Sequence, residues 1–234
     1  MKKYILICLA ITLIAQACKK ENIHPGGGSK PPVVIIPDED EVVVPDEPVS
    51  TAPVTGELQA SAVGFVYRKV NVTTGYNKHL FLDVDADGKT DYNFVSVLFM
   101  ENNKPNLYLL ATTKTGSGNK ILIQKSAEKA LNSLYTFPVN KGDAIKPATT
   151  AKTDWSANSQ KGLIEGSSTV NASKQYFGLW KNQQDKYLGI KFIIKGKAYY
   201  GWIKLSHNAA KDEILVSEYA YNKAADQPIL AGQK

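Results

Sequence analysis

The segment Lys186–His207, KYLGIKFIIKGKAYYGWIKLSH, constrains the fold more than any other part of the chain. Apolar residues fall on alternate positions on both sides of a glycine-containing break. That period of two suits a pair of half-buried strands and not a helix. A two-residue Gly196-Lys197 loop predicts a type II′ turn, with glycine at its first central position. The resulting register opposes Ile194 to Tyr199, Phe192 to Gly201, Ile190 to Ile203 and Leu188 to Leu205. The other face receives Lys195 with Ala198, Ile193 with Tyr200, Lys191 with Trp202 and Gly189 with Lys204, so Lys191 is expected over the Trp202 ring. A slip of one residue would exchange the two faces.

Similar segments recur. Strands are expected at 58–72, 79–84, 93–100, 106–113, 119–124, 175–180, 186–195, 198–207 and 213–222. Only Ser126–Ser133 (SAEKALNS) reads as a helix, about two turns long. Residues 138–160 are rich in Lys, Thr and Ala and read as a long loop. The fold class is therefore all-β, an antiparallel β-sandwich with long loops and at most one short helix. Every aromatic residue except Tyr4 lies at Phe65 or beyond. The sandwich is assigned to residues 56–234, long enough for a two-sheet core.

The N-terminal residues have another texture. Lys2-Lys3 precedes the short apolar run 4–17, so 1–17 reads as a secretory signal rather than a membrane-spanning helix. Its end, Leu13-Ile14-Ala15-Gln16-Ala17-Cys18, resembles a bacterial lipobox. That resemblance implies cleavage before Cys18, a diacylglycerol on the Cys18 sulfur and a fatty acid such as palmitate on its freed amine. The alternative is an ordinary signal with an incidental cysteine. Cys8 leaves with the signal, so Cys18 is the one cysteine of the mature chain, and lipid attachment explains it. Residues 18–55 hold seven of the 11 prolines and the acidic run Asp38–Glu41. Such a composition predicts a disordered tether. The expected location is the cell envelope, lipid-anchored in the outer membrane. Whether the domain faces the periplasm or the cell surface stays open.

The net charge of +6 is unevenly spread. The tether carries three lysines against seven acids, and residues 56–234 carry 23 basic against 15 acidic groups. A basic domain raises the question of nucleic acid. Arg68 is the only arginine, however, and base and phosphate recognition leans on the guanidinium fork. Scattered lysines read instead as a solvated surface, so no nucleic acid is expected as partner.

The sharpest motif is Asp83-Val-Asp85-Ala-Asp87-Gly88-Lys89-Thr-Asp91. Alternate carboxylates on a tight loop supply the hard oxygens that Ca²⁺ prefers, and Gly88 permits the turn. Asp83, Asp85, Asp87 and Asp91 are expected as side-chain ligands, with the Lys89 carbonyl as a fifth. The twelfth position is Phe94, not glutamate, so this is no EF-hand. The competing reading is an acidic hairpin turn without an ion. Catalytic sets are weaker. His79 and His207 read as strand-edge polar residues, nothing selects a pair among Glu57, Glu101, Glu165, Glu213 and Glu218, and no catalytic residue is assigned. Trp155, placed in the polar loop, is the aromatic best situated for a glycan.

The run HLFLDVDADGKTDYNF, followed by YFGLW, KYLGIKF, YYGWIKLS and SEYAYN, resembles a loosely defined family of secreted bacterial β-sandwich proteins. Some of them carry a C-terminal sorting tail of the PEP-CTERM type. The resemblance covers about residues 79–222 and implies architecture and location, not a reaction. The expected function is a lipid-anchored envelope module with a calcium-stabilised sandwich, binding or structural in role. Its partners would be the membrane, through the lipid, and a glycan or another envelope protein. Alternatives are a carbohydrate-binding module or a glycan-active hydrolase.

Overall fold

The computed structural model describes residues 51–101, 103–125, 129–130, 133–157, 162–170 and 173–234. The chain divides into two units, Met1–Asp46 and Glu47–Lys234, and the fold belongs to the second. Residues 1–17, read as a signal, Cys18, and the expected tether as far as residue 50 lie outside the described residues.

Every element among the described residues is a strand. One sheet runs β1 (Glu57–Leu58), β2 (Phe65–Thr74), β16 (Glu213–Asn222), β15 (Lys197–Asn208), β14 (Lys186–Ile194), β6 (Lys120–Gln124), β11 (Thr153–Trp155), with β9 (Pro138–Val139) also on β14. The other runs β3 (Leu80–Leu82), β4 (Tyr92–Glu101), β5 (Lys104–Thr113), β12 (Gly162–Val170), β8 (Ser133–Tyr135), β7 (Lys129–Ala130), with β13 (Ser173–Phe177) on β12. A separate pair joins β10 (Ala144–Ile145) to β17 (Ile229–Leu230). The ladders are antiparallel except β8 on β12. The all-β, sandwich-like architecture read from the sequence is the one observed.

Alternation places the core. Leu80, Leu82, Phe94 and Leu109 from one sheet pack against Leu188, Ile190, Phe192, Ile203 and Leu205 from the other. Full burial of each such side chain contributes roughly 1.5–3 kcal/mol. The opposite face of the larger sheet is also covered. Tyr67, Tyr187, Tyr200 and Trp202 form a second cluster with Val139, Ile145, Ile229 and Ala231. Residues 138–160 are therefore more than a loop, because β9, β10 and β11 come from them and help to build this cover.

The β14–β15 hairpin corrects the expected register. The turn is Lys195-Gly196, both at positive φ (50° and 78°), as a type I′ turn requires. Ile190 opposes Gly201 and Gly189 opposes Trp202. The partners move by two residues, so both faces keep their predicted membership. Lys191 lies opposite Tyr200, with its ammonium 6.0 Å from that ring rather than over Trp202. The reason is packing: each bulky residue faces a glycine. A Cβ at Gly201 would come within 2.6 Å of the Ala220 carbonyl oxygen.

Three other expectations change. Within 126–133, Lys129–Ala130 and Ser133 are strand, while 126–128 and 131–132 lie outside the described residues. A two-turn segment is too short to hold a helix by itself, and Leu134 pairs with Gly162 instead. The strand β12 was not expected, since Gly162, Gly166, Ser167 and Ser168 are poor strand formers. It forms because β5 and β13 bond it on both sides. The folded part also starts before residue 56. Val54 N–H donates to Phe81 O at 2.7 Å and Val54 O accepts from Asp83 N–H at 3.0 Å.

Candidate metal-binding loop

The acidic motif connects β3 to β4, and the Leu82–Tyr92 pair closes it. Two residues take left-handed backbone, Ala86 at φ 65° and Gly88 at φ 84°. Gly88 does so freely, whereas Ala86 must be held there. Asp83 holds it. Its Oδ1 accepts from Ala86 N–H at 2.8 Å and Asp87 N–H at 3.3 Å, and its Oδ2 from Gly88 N–H at 2.9 Å and Thr55 Oγ1 at 3.3 Å. Asp83 is buried. Val84, also buried, points into the core, and the Tyr219 hydroxyl beneath the loop donates to Thr55 O at 2.6 Å.

The second anchor is Asp91. Its Oδ2 accepts from Val84 N–H at 2.8 Å and its Oδ1 from Asn119 Nδ2 at 2.9 Å. Asn119 Oδ1 in turn accepts from Ile193 N–H at 3.1 Å, which ties the loop to the opposite sheet. Burial, with the nearby Asp85 charge added, pushes the Asp91 carboxyl up to about 6. Asp85 is raised for the same reasons, burial first and then the charge on Asp87.

Carboxylate oxygens of Asp83, Asp85 and Asp91 lie within 4.8 Å of one another. Three of the four expected carboxylates thus converge. Asp87 goes elsewhere. Its Oδ2 is 2.9 Å from Lys89 Nζ and its Oδ1 accepts from Lys89 N–H, and these contacts hold its carboxyl below the ordinary range. Lys89 is thereby engaged by Asp87, and its pull on the Asp85 carboxyl is the least of the influences there. A carboxylate has about four acceptor positions, and Asp83 already uses four. An ion would replace its two 3.3 Å bonds and take the remaining positions of Asp85 and Asp91. The rest of the shell would come from water in the adjoining cleft of about 310 Å³, which Lys114, Ser117 and Asn119 also line.

Thr55, Asn119 and Tyr219 were not among the sequence candidates. Asn119 directly follows the Gly116–Gly118 turn, and that adjacency was the one available signal. His207 is buried in β15 rather than edge-exposed, with Nδ1 accepting from Asn182 N–H at 3.1 Å. His79 Nε2 is 3.5 Å from Ser96 Oγ. Trp180 and Trp202 are fully buried. Trp155 is half-buried against Tyr200, with ring centroids 5.7 Å apart, so the polar segment does not present it freely. Of the glutamates, Glu213 pairs with Lys78 and Glu218 with Tyr67, Lys204 and Lys234. Comparison with known proteins yields no matching family model, curated protein or solved structure.

Proposed function

We propose that the chain is a lipid-anchored protein of the cell envelope whose β-sandwich is stabilised by calcium at the 83–91 loop. It serves as a binding or structural module toward a glycan or another envelope protein. The observation that carries the metal reading is the convergence of Asp83, Asp85 and Asp91, three oxygen donors whose mutual repulsion a divalent cation relieves. The lipobox-like end at Cys18 supports the anchor and the outer-membrane location.

Thermal melts test the metal. At free calcium tenfold above the dissociation constant, mass action adds about 1.4 kcal/mol. For a domain of this size that raises Tm by roughly 3–5 °C over chelator. Asp85→Ala combined with Asp91→Ala removes the difference. Equal melting of the unaltered protein in both solutions, with no binding heat at millimolar calcium, refutes the site. The pH dependence has a definite sign. The Asp91 carboxyl titrates higher in the fold than in the unfolded chain. Without calcium, its contribution to stability is therefore present below about pH 4 and is lost as pH rises through about 6. Calcium needs the ionised carboxylate, so the gain from calcium appears above about pH 6.

The anchor is tested separately. Cys18→Ser abolishes fatty-acid labelling and releases the protein from membranes. A mutant that stays labelled and membrane-bound refutes lipidation. Two or more acyl chains, at about 0.8 kcal/mol per buried CH₂, hold a protein stably where one chain does not.

A further inference from the structure

Strand β4 is ten residues long, and β5 pairs with all of it. On its other edge, β3 reaches only Tyr92–Phe94. From Val95 to Glu101 that edge has no strand partner among the described residues. Met100 opposes Pro105, which has no N–H, so this is a non-hydrogen-bonded pair of the β4–β5 ladder. Ser96, Leu98 and Met100 consequently turn their backbone N–H and C=O groups outward. Both faces of the strand are apolar there. Val97, Leu98, Phe99 and Met100 are 37%, 49%, 45% and 58% exposed.

The other edges are defended. β1 and β7 have two residues each and β11 has three. β13 carries Lys174, paired with Asp212. Short strands and inward charges of this kind keep sheet edges from associating. The free part of β4, VSVLFME, has no proline or lysine, its one charge is Glu101 at the end, and no register shift bends it against β5.

We infer that β4 pairs with β4 of a second copy, antiparallel across a two-fold axis at Leu98. A two-fold interface needs a surface that complements itself. Here Leu98 meets Leu98 of the partner subunit, Val97 meets Phe99 of the partner subunit, and Ser96 meets Met100 of the partner subunit. Glu101 falls at the register position of Val95 of the partner subunit. This register also satisfies every outward backbone group of Ser96, Leu98 and Met100, giving about six hydrogen bonds. The four exposed side chains remove on the order of 700 Å² from water over both copies, which lies in the range of weak, reversible interfaces. An interface of this size associates weakly and reversibly.

Cross-linking of the full chain in intact membranes tests the pairing. Val97→Cys and Phe99→Cys chains, co-expressed with different tags, give at least fivefold more mixed disulfide dimer than either variant with itself or with Leu58→Cys, an exposed control on β1. Adding Leu98→Lys to both chains reduces the mixed dimer at least tenfold, while Tm stays within about 2 °C. Sedimentation of the purified full chain shows a concentration-dependent dimer that Leu98→Lys weakens tenfold. Mixed-dimer yield no higher than the Leu58→Cys control overturns the inference. So does a chain that stays monomeric at about 1 mM, binds vesicles through the hairpin instead, or dimerises equally well when both copies carry Leu98→Lys.

Discussion

Replacing Asp83 with alanine lowers stability by about 1–3 kcal/mol, in chelator as well as in calcium. The carboxylate is buried and accepts from three backbone N–H groups and one hydroxyl. Alanine strands the Ala86 and Gly88 N–H groups and frees Ala86 from the left-handed conformation that it does not adopt by preference. Asp83→Asn keeps one oxygen acceptor but sets an NH₂ against the donors of the other side, so about half the loss is expected. Urea denaturation in the presence of chelator measures it. A loss below about 1 kcal/mol there would mean that the loop is ordered by the ion and not by Asp83.

Trp202→Ala lowers stability by about 4 kcal/mol, independently of calcium. The indole is fully buried, lies edge-on to Tyr187 at 5.1 Å, and donates through Nε1 to Gln233 O at 3.0 Å. Its removal leaves a cavity under the cover that Val139, Ile145, Ile229 and Ala231 provide. Trp202→Phe fills part of that space and costs less, leaving chiefly the unpaired Gln233 carbonyl. Denaturation midpoints at constant m-value decide the matter. A cost under about 1.5 kcal/mol would show that the cover folds back into the space.

The contrast between these two residues shows what the sequence could reveal. Asp83 belongs to a motif whose spacing alone implies convergence, because alternate acidic residues on a tight loop, with Gly88 permitting the turn, face one point. The spacing did not reveal that Asp87 would fold back on Lys89, since a contact two residues away competes locally with a shared ion. Nor could it reveal Asn119, which reaches Asp91 across 28 residues. The strands with apolar alternation were legible for the same local reason, and the face of each residue in β14 and β15 was correct. The turn was not, because its choice depends on Gly189 and Gly201 accepting Trp202 and Ile190 across the ladder. β12 lacks any local signal: its glycines leave room for neighbours, such as the Phe177 ring over Gly166. Trp155 sits in polar sequence, yet Tyr200 and the cluster around it make a place for it.

The pairing of β2 with β16 has a kinetic consequence. Tyr67 bonds to Glu218 across 151 residues, and the whole β2 ladder on that side closes only with the β16 segment. A chain emerging from its N-terminal end leaves Phe65–Thr74 without that neighbour until nearly all the rest has followed. Closing so long a loop costs entropy before any contact rewards it, so folding belongs to the slow, millisecond-to-second regime of non-local β topologies. The early local nucleus is the β4–β5 ladder, because β14–β15 emerges only just before β16. Until then β1, two residues long, is the one described strand of its sheet that can pair with β2.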